Sequence, residues 1–134
     1  MPGPFPYLEQ NLDHPAPGCL VVVSYDKHSR SWPAIFDSGA DYTSIPIDLV
    51  DEFSLNREGE IEVLGATGGS EQPDIQGIYI VNIEFPLASA CTVAAHPVLG
   101  GTGAAAREYV LIGRDILNSH LFIFDGPQRQ FTID

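Results

Sequence analysis

The sequence has 134 residues, 44% of them hydrophobic and 18% charged, a composition suited to one folded domain with a modest core rather than to a disordered chain. A net charge of −12, from 18 acids and 6 bases, argues against a nucleic-acid binder, which needs a basic face, and against an anionic membrane surface. Residues 1–18 hold Pro2, Pro4, Pro6, Pro15 and Pro17 and read as an extended, proline-rich arm without regular structure of its own. The opening "MPGPFPYLEQ" has neither the basic region nor the apolar core of a signal peptide. No run approaches the roughly 20 apolar residues of a membrane helix. The expected setting is cytoplasmic.

From residue 19 onward strand signals follow one another closely. "CLVVVSY" (19–25) is apolar and β-branched, "DKHSR" (26–30) reads as a turn, and "WPAIFD" (32–37) as a second strand with Pro33 near its start. "IPIDLVDEF" (45–53) is a helix candidate, with Pro46 in its first turn and Leu49, Val50 and Phe53 at helical spacing. Residues 60–85 read as two strands joined by a glycine-rich connection, the second apolar enough to be covered on both faces. "ACTVAAHPVL" (90–99) is a strand and "GGTGAAAR" (100–107) a loop. "EYVLIG" (108–113) is a strand, "RDILNS" (114–119) a short helix, and "HLFIFD" and "QFTID" are strands around the turn "GPQR" (126–129). Many short strands with Gly and Pro turns and one or two short helices predict an all-β domain over residues 19–134. Cys19 and Cys91 lie in apolar runs without metal-type spacing and read as buried free thiols. The four histidines are scattered singly, so no metal site and no cofactor is expected.

Asp37 ends the apolar run Ala34-Ile35-Phe36. A carboxylate delivered there enters a partly desolvated setting suited to acid–base work. The plainer reading is an Asx-type turn capped by Asp37, with Ser38 and Gly39 as turn residues. The wider pattern favours chemistry. "FDSGAD" early, "LGATGG" (64–69) in the middle and "VLIGRDIL" late resemble, in order and separation, the retropepsin-like aspartic peptidases.

That resemblance implies a closed acid-protease barrel with a glycine-rich flap hairpin. It implies Asp37 as the catalytic aspartate, Ser38 as the hydroxyl that braces two active-site loops, and Gly39 and Ala40 as small residues lining the substrate backbone. Gly65, Ala66, Thr67, Gly68 and Gly69 match the flap tip over the substrate. Asp41 and Arg114 match an ion pair near the dimer interface. Tyr42, Tyr109 and Leu111 fall at pocket positions suited to apolar or aromatic side chains, while Asp41 and Glu108 would favour a basic residue further out. Aspartic peptidases need two carboxylates sharing a proton, and this chain has one such motif. The implied assembly is a C2 homodimer that sets Asp37 against its own copy, with a C-terminal hairpin at the interface. The implied activity is endopeptidase hydrolysis of a peptide or protein through an activated water. The alternative is a catalytically silent module of the same fold that dimerises or binds peptide.

Overall fold

The computed structural model describes residues 3–63 and 74–134. After the short strand β1 (Phe5–Pro6), β2 (Gly18–Tyr25) and β3 (His28–Phe36) form an antiparallel hairpin. Its link is only Asp26 and Lys27, with Asp26 at φ 53°, a left-handed conformation that Asp tolerates. Along β2, Cys19, Val21 and Val23 are buried while Leu20 is exposed, the period-2 pattern of a half-covered strand. Pro33 lies well inside β3, not near its start. β3 pairs with β8 (Val110–Ile112) only over Ala34–Phe36, so the missing N–H of Pro33 costs no bond to that neighbour.

Between them come β4 (Ser44–Pro46), α1 (Ile47–Glu52), β5 (Gly59–Val63), β6 (Asp74–Glu84), a 3-10 turn (Ser89–Cys91), β7 (Val93–Gly101) and α2 (Ala104–Glu108). After β8 follow α3 (Arg114–Leu117), β9 (Phe122–Asp125) and β10 (Gln130–Ile133). The main sheet runs β2-β3-β8-β4-β7-β6 and closes through pairing of Val22–Ser24 in β2 with Asn82–Glu84 in β6. The result is an all-β closed barrel, with β5 appended to β6 as a hairpin. Val21, Val23, Ile45, Val81, Ile83 and Val110 fill it, each at most 1% exposed. A second sheet, β1-β10-β9, lies beside the barrel, with Phe131 at its centre against Phe5, Tyr7 and Phe36.

Several expectations need correction. The arm is not without regular structure: β1 pairs with β10, Leu8 bridges Ala16, and the Tyr7 N–H donates to the Arg129 carbonyl. Prolines permit this because β1 is the outer strand of its sheet. The turn expected over 26–30 shrinks to two residues, since His28 already pairs with Tyr25. β6 is buried on one face, through Tyr79, Val81 and Ile83, while Asn82 and Glu84 face solvent. Pro46 precedes the first turn of α1 as its N-cap. The stretch 100–107 is not a loop: Gly100 and Gly101 finish β7, and Ala104–Glu108 is helical. The Ala-rich run has the propensity, and a Cβ on Gly101 would lie 2.5 Å from the Ala106 Cβ, so the glycine is what lets α2 pack there. With α1, α2 and α3, the described residues hold three short α-helices rather than one or two.

Cys19 and Cys91 are both free and buried, and burial pushes the Cys19 thiol up to about 12. Among the described residues no helix is long and apolar enough to cross a membrane.

Candidate active site

Asp37 follows the last residue of β3. Its N–H donates to the Ile112 carbonyl at 2.8 Å, extending the parallel β3–β8 ladder by one bond. The chain then turns: Ala40 N–H donates to the Asp37 carbonyl at 3.1 Å, and Gly39 N–H donates to Asp37 Oδ1 at 3.0 Å. The Asx-type turn is therefore present, and it fixes one carboxylate oxygen. The other oxygen has no hydrogen-bond donor among the described residues, and Asp37 is half-buried. The turn holds the side chain in place without consuming it.

The carboxylate borders a groove of about 490 Å³. Gly39, Ala40, Asp41 and Tyr42 line it from the loop after β3, and Leu111 from β8. Ser44, Glu62, Val63, Gln76, Leu99, Gly101 and Ala106 complete the wall. Ser38 is exposed and is not part of that lining; its carbonyl accepts a 2.6 Å bond from Arg114 Nη1. Arg114 Nη2 donates to Asp41 Oδ1, with the two side chains 39% and 72% exposed. A pair so open to water is worth at most about 1 kcal/mol, so it orients the loop more than it stabilises the fold.

Tyr109 departs from its expected place. It is buried, its hydroxyl donates to the Gln10 carbonyl of the N-terminal arm, and it does not line the groove. Tyr109 has the same parity as Leu111, but it is the C-cap residue of α2 and precedes β8, so the alternation of that strand does not place its ring. Glu108 ends α2 and is likewise absent from the lining; its carbonyl accepts from Trp32 Nε1 at 2.8 Å. Gly65, Ala66, Thr67, Gly68 and Gly69 lie outside the described residues. What is described of that hairpin is its base, β5 and β6, paired from Gly59–Ile78 to Val63–Asp74.

Beneath the loop lies a polar cluster that sequence reasoning did not assemble. Thr43 is fully buried, with its hydroxyl donating to Asp115 Oδ1 at 2.8 Å and its N–H donating to Asp115 Oδ2 at 3.1 Å. The Thr43 hydroxyl oxygen accepts from Gly113 N–H at 3.1 Å. His96 Nε2 stands 2.9 Å from Asp115 Oδ2. Burial alone would raise the Asp115 pKa, but the hydrogen bonds from His96 and Thr43, with the His96 charge, outweigh it and hold the group below its ordinary value. Asp115 had a sequence signal as the acid of "GRD"; His96 had none, because its partner is brought near only by the barrel. Among the described residues no three His, Cys, Asp or Glu side chains form a metal-binding group.

No family model matches the chain, and no curated protein matches it. Among solved structures, one described as EIAV protease complexed with the inhibitor HBY-793 is similar. Identity is 18% and the TM-score 0.49, over 84% of this chain and 93% of that one.

Proposed function

We propose that the chain is an aspartic endopeptidase of the retropepsin-like type, active as a homodimer in which two copies of Asp37 form the catalytic dyad. The carrying observation is the position of Asp37: half-buried, pinned through one oxygen, and open to a groove large enough for an extended peptide segment. The "FDSGAD" and "VLIGRDIL" motifs support the same reading.

The dimer reading has its own support. Phe36, next to Asp37, packs on Phe122 of β9 with ring centroids 5.1 Å apart. β9 is the outer strand of its sheet, with Leu121, Ile123 and Phe124 exposed beside it or on it. A bare apolar edge next to the carboxylate suits pairing with its own copy across a two-fold axis. Such pairing brings a second Asp37 to the first. Two like charges that close cannot both ionise cheaply, so the pair holds one proton.

In the reaction proposed, the ionised carboxylate takes a proton from water as the water oxygen bonds to the scissile carbonyl carbon. The protonated carboxylate gives its proton to the carbonyl oxygen. Collapse of the resulting gem-diol breaks the C–N bond; one hydroxyl proton returns to the carboxylate that had given its own, and the proton gained from water passes to the leaving amine.

Peptide-library cleavage between pH ~4 and ~7 tests the reading, with Asp37→Asn as control. Cleavage by the wild type that is lost in Asp37→Asn, by at least about 10³-fold, is the expected result. Turnover that survives the substitution defeats the dyad. Peptide binding without turnover by the wild type favours the silent module.

A further inference from the structure

His96 lies on β7 outside the groove, and the chemistry proposed for Asp37 leaves it without a role. Its side chain and that of Asp115 are each 18% exposed, sheltered but not sealed from water. The Asp115 carboxylate accepts four bonds. Oδ1 accepts from the Thr43 hydroxyl and Ile116 N–H, and Oδ2 from Thr43 N–H and His96 Nε2. Of these donors, only His96 comes from outside the Thr43 and α3 segments.

The loop from Asp37 to Thr43 is tied at three points to consecutive residues of the β8–α3 junction. Asp37 N–H donates to the Ile112 carbonyl, Gly113 N–H to the Thr43 hydroxyl, and Arg114 N–H to the Ala40 carbonyl at 2.9 Å. The junction leaves no slack on that side, since a Cβ on Gly113 would sit 2.6 Å from the Tyr42 carbonyl carbon. The tie at Thr43 depends on the Asp115 carboxylate, because that carboxylate orients the hydroxyl so that its oxygen faces Gly113.

We propose that His96 is a positioning residue, holding the Asp115 carboxylate in the form and place that fix the Thr43 end of the Asp37 loop. The role in turnover rests on the aspartic-peptidase reading; the positioning itself does not. A protonated Asp115 carries an O–H that displaces one of its Thr43 donors, so the loop loosens as Asp115 takes up a proton. His96 opposes this by adding a donor, and a cation when protonated, to the ionised form. Among the described residues, His96 on β7 is the charged group that acts on Asp115. Arg114 on α3 is turned to Asp41 and the Ser38 carbonyl, and Asp41 on the loop is occupied by Arg114.

The test is a pH titration by NMR of the full chain, following the Asp115 carboxyl carbon and the amides of Thr43 and Gly39. His96→Phe removes the donor while keeping a ring; His96→Gln returns a neutral donor near the Nε2 position and guards against misfolding. The expected result is a higher Asp115 midpoint in His96→Phe, with both amides following it, and partial return in His96→Gln. On an Asp37-dependent peptide substrate, kcat/KM falls about tenfold in His96→Phe near pH ~4.5 and less than about twofold near pH ~6.5. An unchanged Asp115 midpoint in His96→Phe, or a Gly39 amide that ignores it, overturns the positioning role. A wild type that cuts no peptide while the midpoints shift as expected overturns the peptidase reading and leaves the positioning standing.

Discussion

Two threonines show how the same hydroxyl is costly or useful depending on its partners. Thr43 is buried with its hydroxyl both donating and accepting, whereas the buried Thr132 Oγ1 has no partner among the described residues. Replacing each by Val removes the hydroxyl with little change of shape. Thr43→Val strands the Gly113 N–H and removes a donor from Asp115, and is expected to cost about 2–3 kcal/mol in urea unfolding. Thr132→Val removes only an unpaired group and is expected to be neutral or to stabilise by about 1 kcal/mol. Equal effects would mean that the Thr43 bonds contribute nothing. Asp115 adds a pH dependence of definite sign. Its folded pKa lies below the ordinary 3.8, so its contribution is fully present above that value and is lost as pH falls through the folded one. The stability gap between wild type and Asp115→Asn is therefore expected to shrink as pH falls below ~4. A gap that widens in acid contradicts the assignment.

At the level of elements, the chain read well where a strand is specified by its own alternation and poorly where a distant partner specifies it. β2 and the β9–β10 hairpin follow from local pattern and turn residues, and their observed pairings agree with it. α2 was hidden because "GGTG" precedes it and outweighs a short Ala run; its packing on Gly101 is a tertiary fact. The arm was hidden because prolines signal irregular chain, although an outer strand needs few N–H donors. In the site, Asp37 and its loop are one contiguous motif, but the groove wall draws on β4, β5, β6, β7, β8 and α2, whose convergence no spacing rule supplies. The arm also carries a prediction. Phe5 and Tyr7 pack on Phe131 at 5.5 and 6.4 Å, Gln10 takes the Tyr109 hydroxyl, and the Pro17 carbonyl accepts from Phe36 N–H. Deleting residues 1–16 uncovers one face of Phe131 and leaves Tyr109 without its acceptor. A loss of more than about 3 kcal/mol is expected by denaturant unfolding. Unchanged stability would make the arm an ornament instead of a structural strand.

For the whole molecule, the net charge of −12 and the bare β9 edge act in opposite directions. Ile123 and Phe124 are neighbours in a strand and so face opposite sides, yet they are 49% and 44% exposed. Exposure of both leaves part of each face of β9 open although Phe122 packs inward on Phe36, and no strand among the described residues pairs with its outer edge, a combination that favours association through backbone pairing and apolar burial. Two copies brought edge to edge also bring together two strongly negative chains, and that repulsion is strongest at neutral pH and low salt. The proposed homodimer is therefore expected to tighten from pH ~7.5 to ~5 and, at neutral pH, to tighten as salt rises from ~0.02 M to ~0.3 M. Sedimentation at fixed protein concentration reads both trends. Phe124→Lys places a cation on the exposed edge without touching the barrel core. It is expected to give a folded monomer whose melting temperature, measured at a concentration where the wild type is also monomeric, lies within about 3 °C of the wild type. The same variant should lose peptide cleavage at concentrations where wild-type cleavage rises with the square of protein concentration, because a lone Asp37 has no partner to share its proton. A monomeric Phe124→Lys that cleaves at the wild-type rate would mean that the second carboxylate comes from within the chain, and the two-copy active site would have to be abandoned.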